Sequence, residues 1–297
     1  MEKVLVAGST GYLGRFVVKE FKRQGYWVRA LARNPEVLRR RGVFLEPAII
    51  DHVDETFTGE ITKPETLDGI CNDIDIVFSS VGITRQKDGL TFQDVDYQGN
   101  VNLLNIASKT KVSKFVYVSL FNADKMGHLA IVKAHEDFVK VLKSTGIDYT
   151  VIRPTGYFSD ISEYLKMAKS GRVYLFGKGE SRLNPIHGED LAKVCVDSVP
   201  QNIHELPVGG PEEYSQNEIA KLVFAILYQN PKITHIPSLL ARIAIKFIRP
   251  FNKHESELLD FFVTAGQQNM VAPPAGSYSL KHYYQELLSM NYKRELL

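Results

Sequence analysis

The sequence predicts an α/β protein: a doubly wound parallel sheet carrying a smaller, less regular C-terminal substrate region. Two observations predict it. The first thirty-five residues read as strand, glycine turn, helix, strand, which is a βαβ unit. Further strand-length apolar runs recur at 73–80, 114–119 and 149–154, with helix-period stretches between them. Those runs suit strands covered on both faces, as in a parallel sheet flanked by helices.

Taken in order, Val4-Leu5-Val6-Ala7 is the first strand, and Gly8-Ser9-Thr10-Gly11-Tyr12-Leu13-Gly14 breaks it. A helical pattern follows from Arg15 to Gln24, Gly25 ends it, and residues 27–32 form the second strand. Asn34–Arg41 is polar and basic, a short helix or loop. The third strand is expected at 43–45 or 48–50. Thr62–Leu67 reads as a helix start with Pro64 in its first turn. Phe92–Lys109 and Ala130–Ser144 are helical, the second stopped near Gly146. Beyond Thr155 the regularity weakens. There is a turn at Gly177-Lys178-Gly179, a helix opening at Gly188 with Asp190 in its first turn, a helix at 215–228 and a last one at 279–288. The expected division is a dinucleotide-binding domain at 1–155 and a cap at 156–297 packed on the sheet's carboxyl edge, where α/β proteins bind ligands.

The bulk numbers exclude several classes. The 297 residues carry 36 Lys and Arg against 34 Asp and Glu. That near-balance argues against a nucleic-acid partner. Cys71 and Cys195 form no Cys-x-x-Cys pair, which suits a reducing, cytoplasmic compartment and no disulfide framework. The glycine turn directly after the first strand argues against a signal peptide, and no apolar run reaches transmembrane length. His254-Glu255 and His135-Glu136 each begin like a zinc-protease motif but lack its second histidine, so no metal is expected.

Gly8, Gly11 and Gly14 suit a chain that turns tightly, lets a phosphate approach its backbone and packs a helix against a strand. The helix start at Tyr12, Leu13 and Gly14 presents unpaired N–H groups and a positive dipole end to a pyrophosphate. The second strand ends Ala32-Arg33-Asn34 with no acid. A carboxylate there would hold a ribose 2′-hydroxyl, whereas the guanidinium of Arg33, helped by Thr10, suits a 2′-phosphate and so NADP(H).

Several ordered segments resemble one family. Gly8-Ser9-Thr10-Gly11-Tyr12-Leu13-Gly14, Phe115-Val116-Tyr117-Val118-Ser119, Tyr149 to Phe158, and Asn184-Pro185-Ile186-His187 with Asp190-Leu191-Ala192 together resemble the atypical or extended branch of the short-chain dehydrogenase/reductase superfamily, its NmrA-like and divinyl-reductase-like members. The resemblance runs from Val4 to about Val199. It implies a Rossmann fold, a nicotinamide cofactor and a small-molecule substrate. It further implies that Glu60 stands where relatives have an Asp touching the adenine, and that Ser80, Val81 and Gly82 pass beside the ribose and phosphates. Ser119 would lie near a helper serine, the nicotinamide would lie over Thr155-Gly156-Tyr157, and Pro154 joins the cofactor-binding set.

The superfamily's usual chemistry pairs a Tyr with a Lys four residues later on one helix face. Lys133 fits the lysine, which would hold the nicotinamide ribose. Leu129 stands where the tyrosine belongs, and Asp96 replaces a helper asparagine. Leucine cannot exchange a proton, so another donor is required: Tyr157, His128 or His187. The two histidines read more simply as a surface or capping residue and a structural one. Lys133 and Tyr157 are thus the catalytic candidates for an NADP(H)-dependent reductase acting on an apolar or aromatic molecule. The alternative is a non-catalytic NADP(H)-binding redox sensor or assembly factor. A helical stretch at 236–251 sets Leu239, Leu240, Ile243 and Phe247 on one side and Arg242, Lys246 and Arg249 on another. It would line a substrate pocket, rest on a membrane surface or dock a partner; the plainer expectation is a helix packed on the sheet domain with its basic side wet.

Overall fold

A computed structural model describes residues 1–83 and 89–295. Its centre is a seven-stranded parallel sheet, formed by β1 (Lys3–Ala7), β2 (Trp27–Ala32), β3 (Glu55–Thr58), β4 (Ile76–Ser79), β5 (Lys114–Val118), β6 (Asp148–Pro154) and, from much later in the chain, Glu205–Val208. The strand order is β3-β2-β1-β4-β5-β6 followed by that last strand. β1 lies at the middle, with Val4 opposite Val28 on one side and Ile76 on the other. The order therefore reverses at β1, and the carboxyl ends of β1 and β4 open the crevice in which such sheets bind ligands.

Both faces are covered. On one, α1 (Tyr12–Arg23) presses Phe16, Val17 and Phe21 against Val4, Val28 and Phe78. On the other, α2 (Asn100–Ala107) and α3 (Ala130–Lys143) bury Leu103, Leu104, Phe138 and Leu142 against Leu5, Val77 and Phe115. The remaining elements are α4 (Phe158–Lys169), β7 (Val173–Phe176), β8 (Arg182–Leu183), α5 (Gly188–Asp197), the sheet strand β9 (Glu205–Val208), β10 (Tyr214–Ser215), α6 (Gln216–Ile226), β11 (Ile233–Ile236), α7 (Ser238–Ile248), α8 (Lys253–Ala265) and α9 (Leu280–Glu295). α4, β7, α6 and α9 share a core of their own around Phe158, Leu165, Phe224 and Tyr284. α5 instead packs beside α1, and β9 extends the main sheet next to β6, so the sheet layer draws on residues well past 155. Among the described residues, no helix is long and apolar enough to cross a membrane.

Three elements differ from the sequence reading. The third strand is neither 43–45 nor 48–50 but Glu55–Thr58, beside β2. It is an edge strand of mixed polarity whose pairing is reinforced when Arg29 donates to Glu55 at 2.8 Å, so it has no apolar run to read. The 92–109 helix is two pieces: a widened π-type segment over Gln93–Gly99, then α2. In α7, the side that packs is Ala241 and Ile245, set against Val263, Phe176 and Leu259. The larger residues expected to pack, Leu239, Leu240, Ile243 and Phe247, face outward.

Candidate nucleotide-binding site

The turn between β1 and α1 leaves no room for a side chain at Gly8 or at Gly14, just inside the helix. Gly8 has φ +83°, and a Cβ there would come within 2.9 Å of Ser80 Oγ. A Cβ on Gly14 would lie 2.0 Å from the Gly8 carbonyl oxygen, so the first turn of α1 rests directly on the loop below it. The Gly11 N–H donates to the Gly8 carbonyl at 3.0 Å, and the Ser9 hydroxyl donates to the Leu31 carbonyl at 2.7 Å, tying the turn to β2. α1 has no side-chain N-cap, which leaves its first-turn N–H groups available to an anion.

Around this turn runs a cleft of about 170 Å³. Gly8, Thr10, Gly11, Arg33, Glu60, Ser80, Val81 and Gly82 line it, together with Leu31, Ile61, Leu90 and Val95. A bare backbone cradle, a guanidinium at the end of β2 and apolar walls fit a dinucleotide: phosphates over the glycines and a flat base against aliphatic side chains. Glu60 borders the same cleft. Its carboxyl is held below the usual range by the hydrogen bond from Lys63, with the charge of Arg33 adding to the effect.

Arg15 is a brace the sequence reading passed over. It is buried, and its guanidinium donates to the carbonyls of Thr10 (3.0 Å), Val37 (2.8 Å), Arg40 (2.6 Å) and Pro47 (2.9 Å). The loop that follows Arg33 is thereby bolted to the glycine turn. The available signal was a charged residue on the inward stripe of α1, between Gly14 and Phe16.

The other expected residues fall into separate groups. Leu13 and Gly14 are buried beneath the turn. The Tyr12 hydroxyl accepts from the Gly188 N–H at 3.0 Å, joining the start of α1 to that of α5, and its ring lies 5.8 Å from Tyr157. Burial first, and then the nearby Asp160, push the Tyr157 phenol well up, so it stays protonated at any physiological pH. Pro154 ends β6, and the Thr155 hydroxyl donates to the Asn184 carbonyl at 2.6 Å.

Ser119 and Lys133 belong to another part of the molecule. The Ser119 hydroxyl donates to Glu136 at 2.6 Å. Arg153 donates to Glu136 at 2.6 and 3.0 Å and to Glu205 at 2.6 Å. Lys133 is 64 % exposed, pairs with Asp137 one turn on, and lines a second cleft of about 550 Å³ with Glu136, Lys140 and Arg153. The structure does not bring Ser119 or Lys133 to the wall of the glycine cleft. Leu129 is buried among Met126, Val132 and Met270. His128 is exposed. His187 caps α5, its Nδ1 accepting from the Glu189 N–H at 3.2 Å; burial pushes its pKa down to about 4.

A buried polar triad stands directly behind the cleft. Asp96 is fully buried in the π-type segment; its Oδ1 lies 3.1 Å from His135 Nε2, and its Oδ2 accepts from the Ile83 N–H at 3.2 Å. His135 Nδ1 lies 2.6 Å from the Tyr117 hydroxyl. Burial raises the Asp96 carboxyl, and His135 opposes that rise. A Cβ on Gly82 would come within 3.0 Å of Asp96 Oδ1, so the triad backs the cleft wall itself. Nearby, the Ser79 hydroxyl donates to Asn100 at 2.5 Å. The sequence reading met Asp96 only as a replaced asparagine and His135 only as a failed zinc ligand. Their pairing needs the fold, because 39 residues of chain separate two positions that carry no shared motif.

These features define a class: an α/β protein whose β1–α1 turn and β4 loop cradle a dinucleotide. The chain belongs to the NAD(P)H-binding family, which matches residues 8–202. Among curated relatives, the photosystem II assembly factor Ycf39 of Synechocystis is 29 % identical over 255 residues, covering 84 % of this chain and 75 % of the relative. The chloroplastic divinyl chlorophyllide a 8-vinyl-reductase of Arabidopsis thaliana is 29 % identical over 252 residues, covering 79 % of this chain and 60 % of that one. Among solved structures, the NADPH-dependent quinone oxidoreductase QOR2 of Escherichia coli, complexed with NADPH, superposes with TM-score 0.75 at 17 % identity over 96 % of this chain and 99 % of its own. The resemblance to atypical short-chain reductases is borne out.

Proposed function

We propose that this chain is an NADP(H)-dependent reductase of the atypical short-chain type acting on an apolar or aromatic small molecule. The observation that carries the reading is the pairing of the glycine cradle with Arg33 on one cleft, where β2 ends without a carboxylate. A guanidinium matches a 2′-phosphate with two parallel charge-assisted hydrogen bonds; an aspartate in its place would repel it. Thr10 stands on the same wall. The cofactor, when bound, supplies hydride.

The chain must then supply a proton, and Leu129 has none to give. Tyr157 is the candidate donor, because it carries a phenolic proton and its ring packs on Tyr12 at the glycine turn; burial raises its pKa and weakens it as an acid, a penalty that bound cofactor and substrate would have to relieve. Lys133 pairs with Asp137 one turn on along its own helix and does not border the glycine cleft. Both cysteines are free and buried, which accords with a reducing compartment such as the cytoplasm.

A second reading is favoured by the same Leu129: a chain that holds NADP(H) without turning it over, as a redox sensor or assembly factor. The named relatives divide the same way, one an assembly factor and one a vinyl reductase. NADPH consumption screened against quinones, enones and vinyl-bearing pigments separates the two. Turnover that falls about 10²-fold or more in Tyr157→Phe, with NADPH affinity unchanged, supports the reductase. Tight NADPH binding with no turnover in any class supports the sensor.

A further inference from the structure

The outward side of α7 has no covering among the described residues. Leu239 is 70 % exposed, Phe247 72 % and Phe251, just past the helix, 90 %. Leu240 and Ile243 complete the stripe. At 100° per residue, the four of these positions inside the helix span about a quarter of its circumference, and Phe251 follows in the turn beyond. The inward positions, Ala241 and Ile245, fill a second sector against α8. Arg242, Lys246 and Arg249 fill the third, all exposed, and no carboxylate pairs with them among the described residues. From Ser238 to Lys253 the sequence contains no Asp or Glu.

We propose that α7 docks this protein on an anionic membrane surface. The helix would lie in the plane of the headgroups, with its leucine and phenylalanine side chains in the acyl boundary and its cations against lipid phosphates. Charge decides between occupants. A second copy meeting the same face would bring three unpaired cations against three more, whereas an anionic bilayer matches them. Two phenylalanines at the outer end of the stripe suit an interface that accepts bulky apolar groups without shape complementarity. The position suits the cleft as well. The His254 ring of α8 lies 5.0 Å from Phe92, and Leu90 and Val95 on either side of Phe92 line the glycine cleft. Through α8, which packs on α7, the docking helix is thus joined to the segment that lines the cleft.

Vesicle co-sedimentation of the full chain tests this, using phosphatidylcholine vesicles with and without phosphatidylglycerol. Binding is expected only to the anionic vesicles, and added salt should weaken it. Each cation lost is worth about a five-fold drop in partitioning, so the Arg242→Gln, Lys246→Gln, Arg249→Gln triple variant should bind on the order of 100-fold more weakly. Phe247→Ser with Phe251→Ser should bind at least about ten-fold more weakly. Retained NADPH binding in both variants reports that each is folded, since neither set borders the cleft. Absence of wild-type binding to anionic vesicles overturns the proposal. So does equal binding by the variants, or a wild-type dimer in light scattering that the phenylalanine variant converts to monomer.

Discussion

His187 carries a stability term that pH switches off. Its ring is walled by Tyr278 at 4.0 Å, Phe16 at 5.2 Å, Phe158 at 5.6 Å and Tyr283 at 5.8 Å, and Nδ1 is committed to the Glu189 N–H. Buried among these rings, an imidazolium would lose its solvation, and that burial lowers the folded pKa to about 4 from the ordinary 6.5. Because the folded pKa is depressed, the contribution is fully present above pH 6.5 and is lost as pH falls toward 4: there the unfolded chain binds a proton that the folded one refuses. At about 1.4 kcal/mol per pH unit, the loss comes to about 3 kcal/mol. That is a large share of a stability of roughly 5–15 kcal/mol. Urea denaturation followed from neutral pH down to about pH 4, for the wild type and His187→Asn, isolates the term, because Asn retains the helix cap but does not titrate. The wild type should lose about 3 kcal/mol more than the variant across this window. Parallel curves would refute the reasoning.

Other consequences follow from single contacts. Gly14→Ala places a methyl 2.0 Å from the Gly8 carbonyl oxygen; it should cost at least the ~1–3 kcal/mol of overpacking and abolish NADPH binding, and an unchanged melting temperature with intact binding would contradict the cradle. His135→Ala leaves Asp96 buried without its partner and should destabilise by about 3–5 kcal/mol in a urea titration. Adding Asp96→Leu should recover much of that loss, because it removes the stranded carboxyl.

The parts of the fold legible in the sequence are those with local causes. The buried strands 76–79, 114–118 and 148–154 announce themselves as apolar runs, and the glycine turn by a spacing that only a close loop–helix contact demands. β3 was not legible, because Glu55-Thr56-Phe57-Thr58 owes its place to an edge position and a cross-strand ion pair. For the site, Arg33, Thr10 and residues 80–82 could be nominated from their places after strands and Glu60 from the family resemblance, and they share one cleft. Lys133 is nominated by the family resemblance, without the tyrosine that should stand four residues before it. Spacing fixes a helix face but not the direction in which that face looks, and here it looks toward Asp137 and Arg153. Arg15 and the triad of Asp96, His135 and Tyr117 were illegible for a different reason. Each is a buried polar group whose partners lie on other elements, so nothing local marks it. The outward turn of α7 belongs with these: its pattern shows an apolar side, but only the contacts of Ala241 and Ile245 show that this side is not the one packed.

The central claim is that the cleft between the glycine turn and Arg33 holds NADP(H). Calorimetric titration of NADPH and NADH into the wild type and Arg33→Asp tests it most directly. The wild type should bind NADPH more tightly than NADH by about 10–100-fold, the worth of a charge-assisted pair at the 2′-phosphate, and the variant should lose or reverse that preference. Equal affinities in the wild type, or a preference that survives in Arg33→Asp, would contradict it.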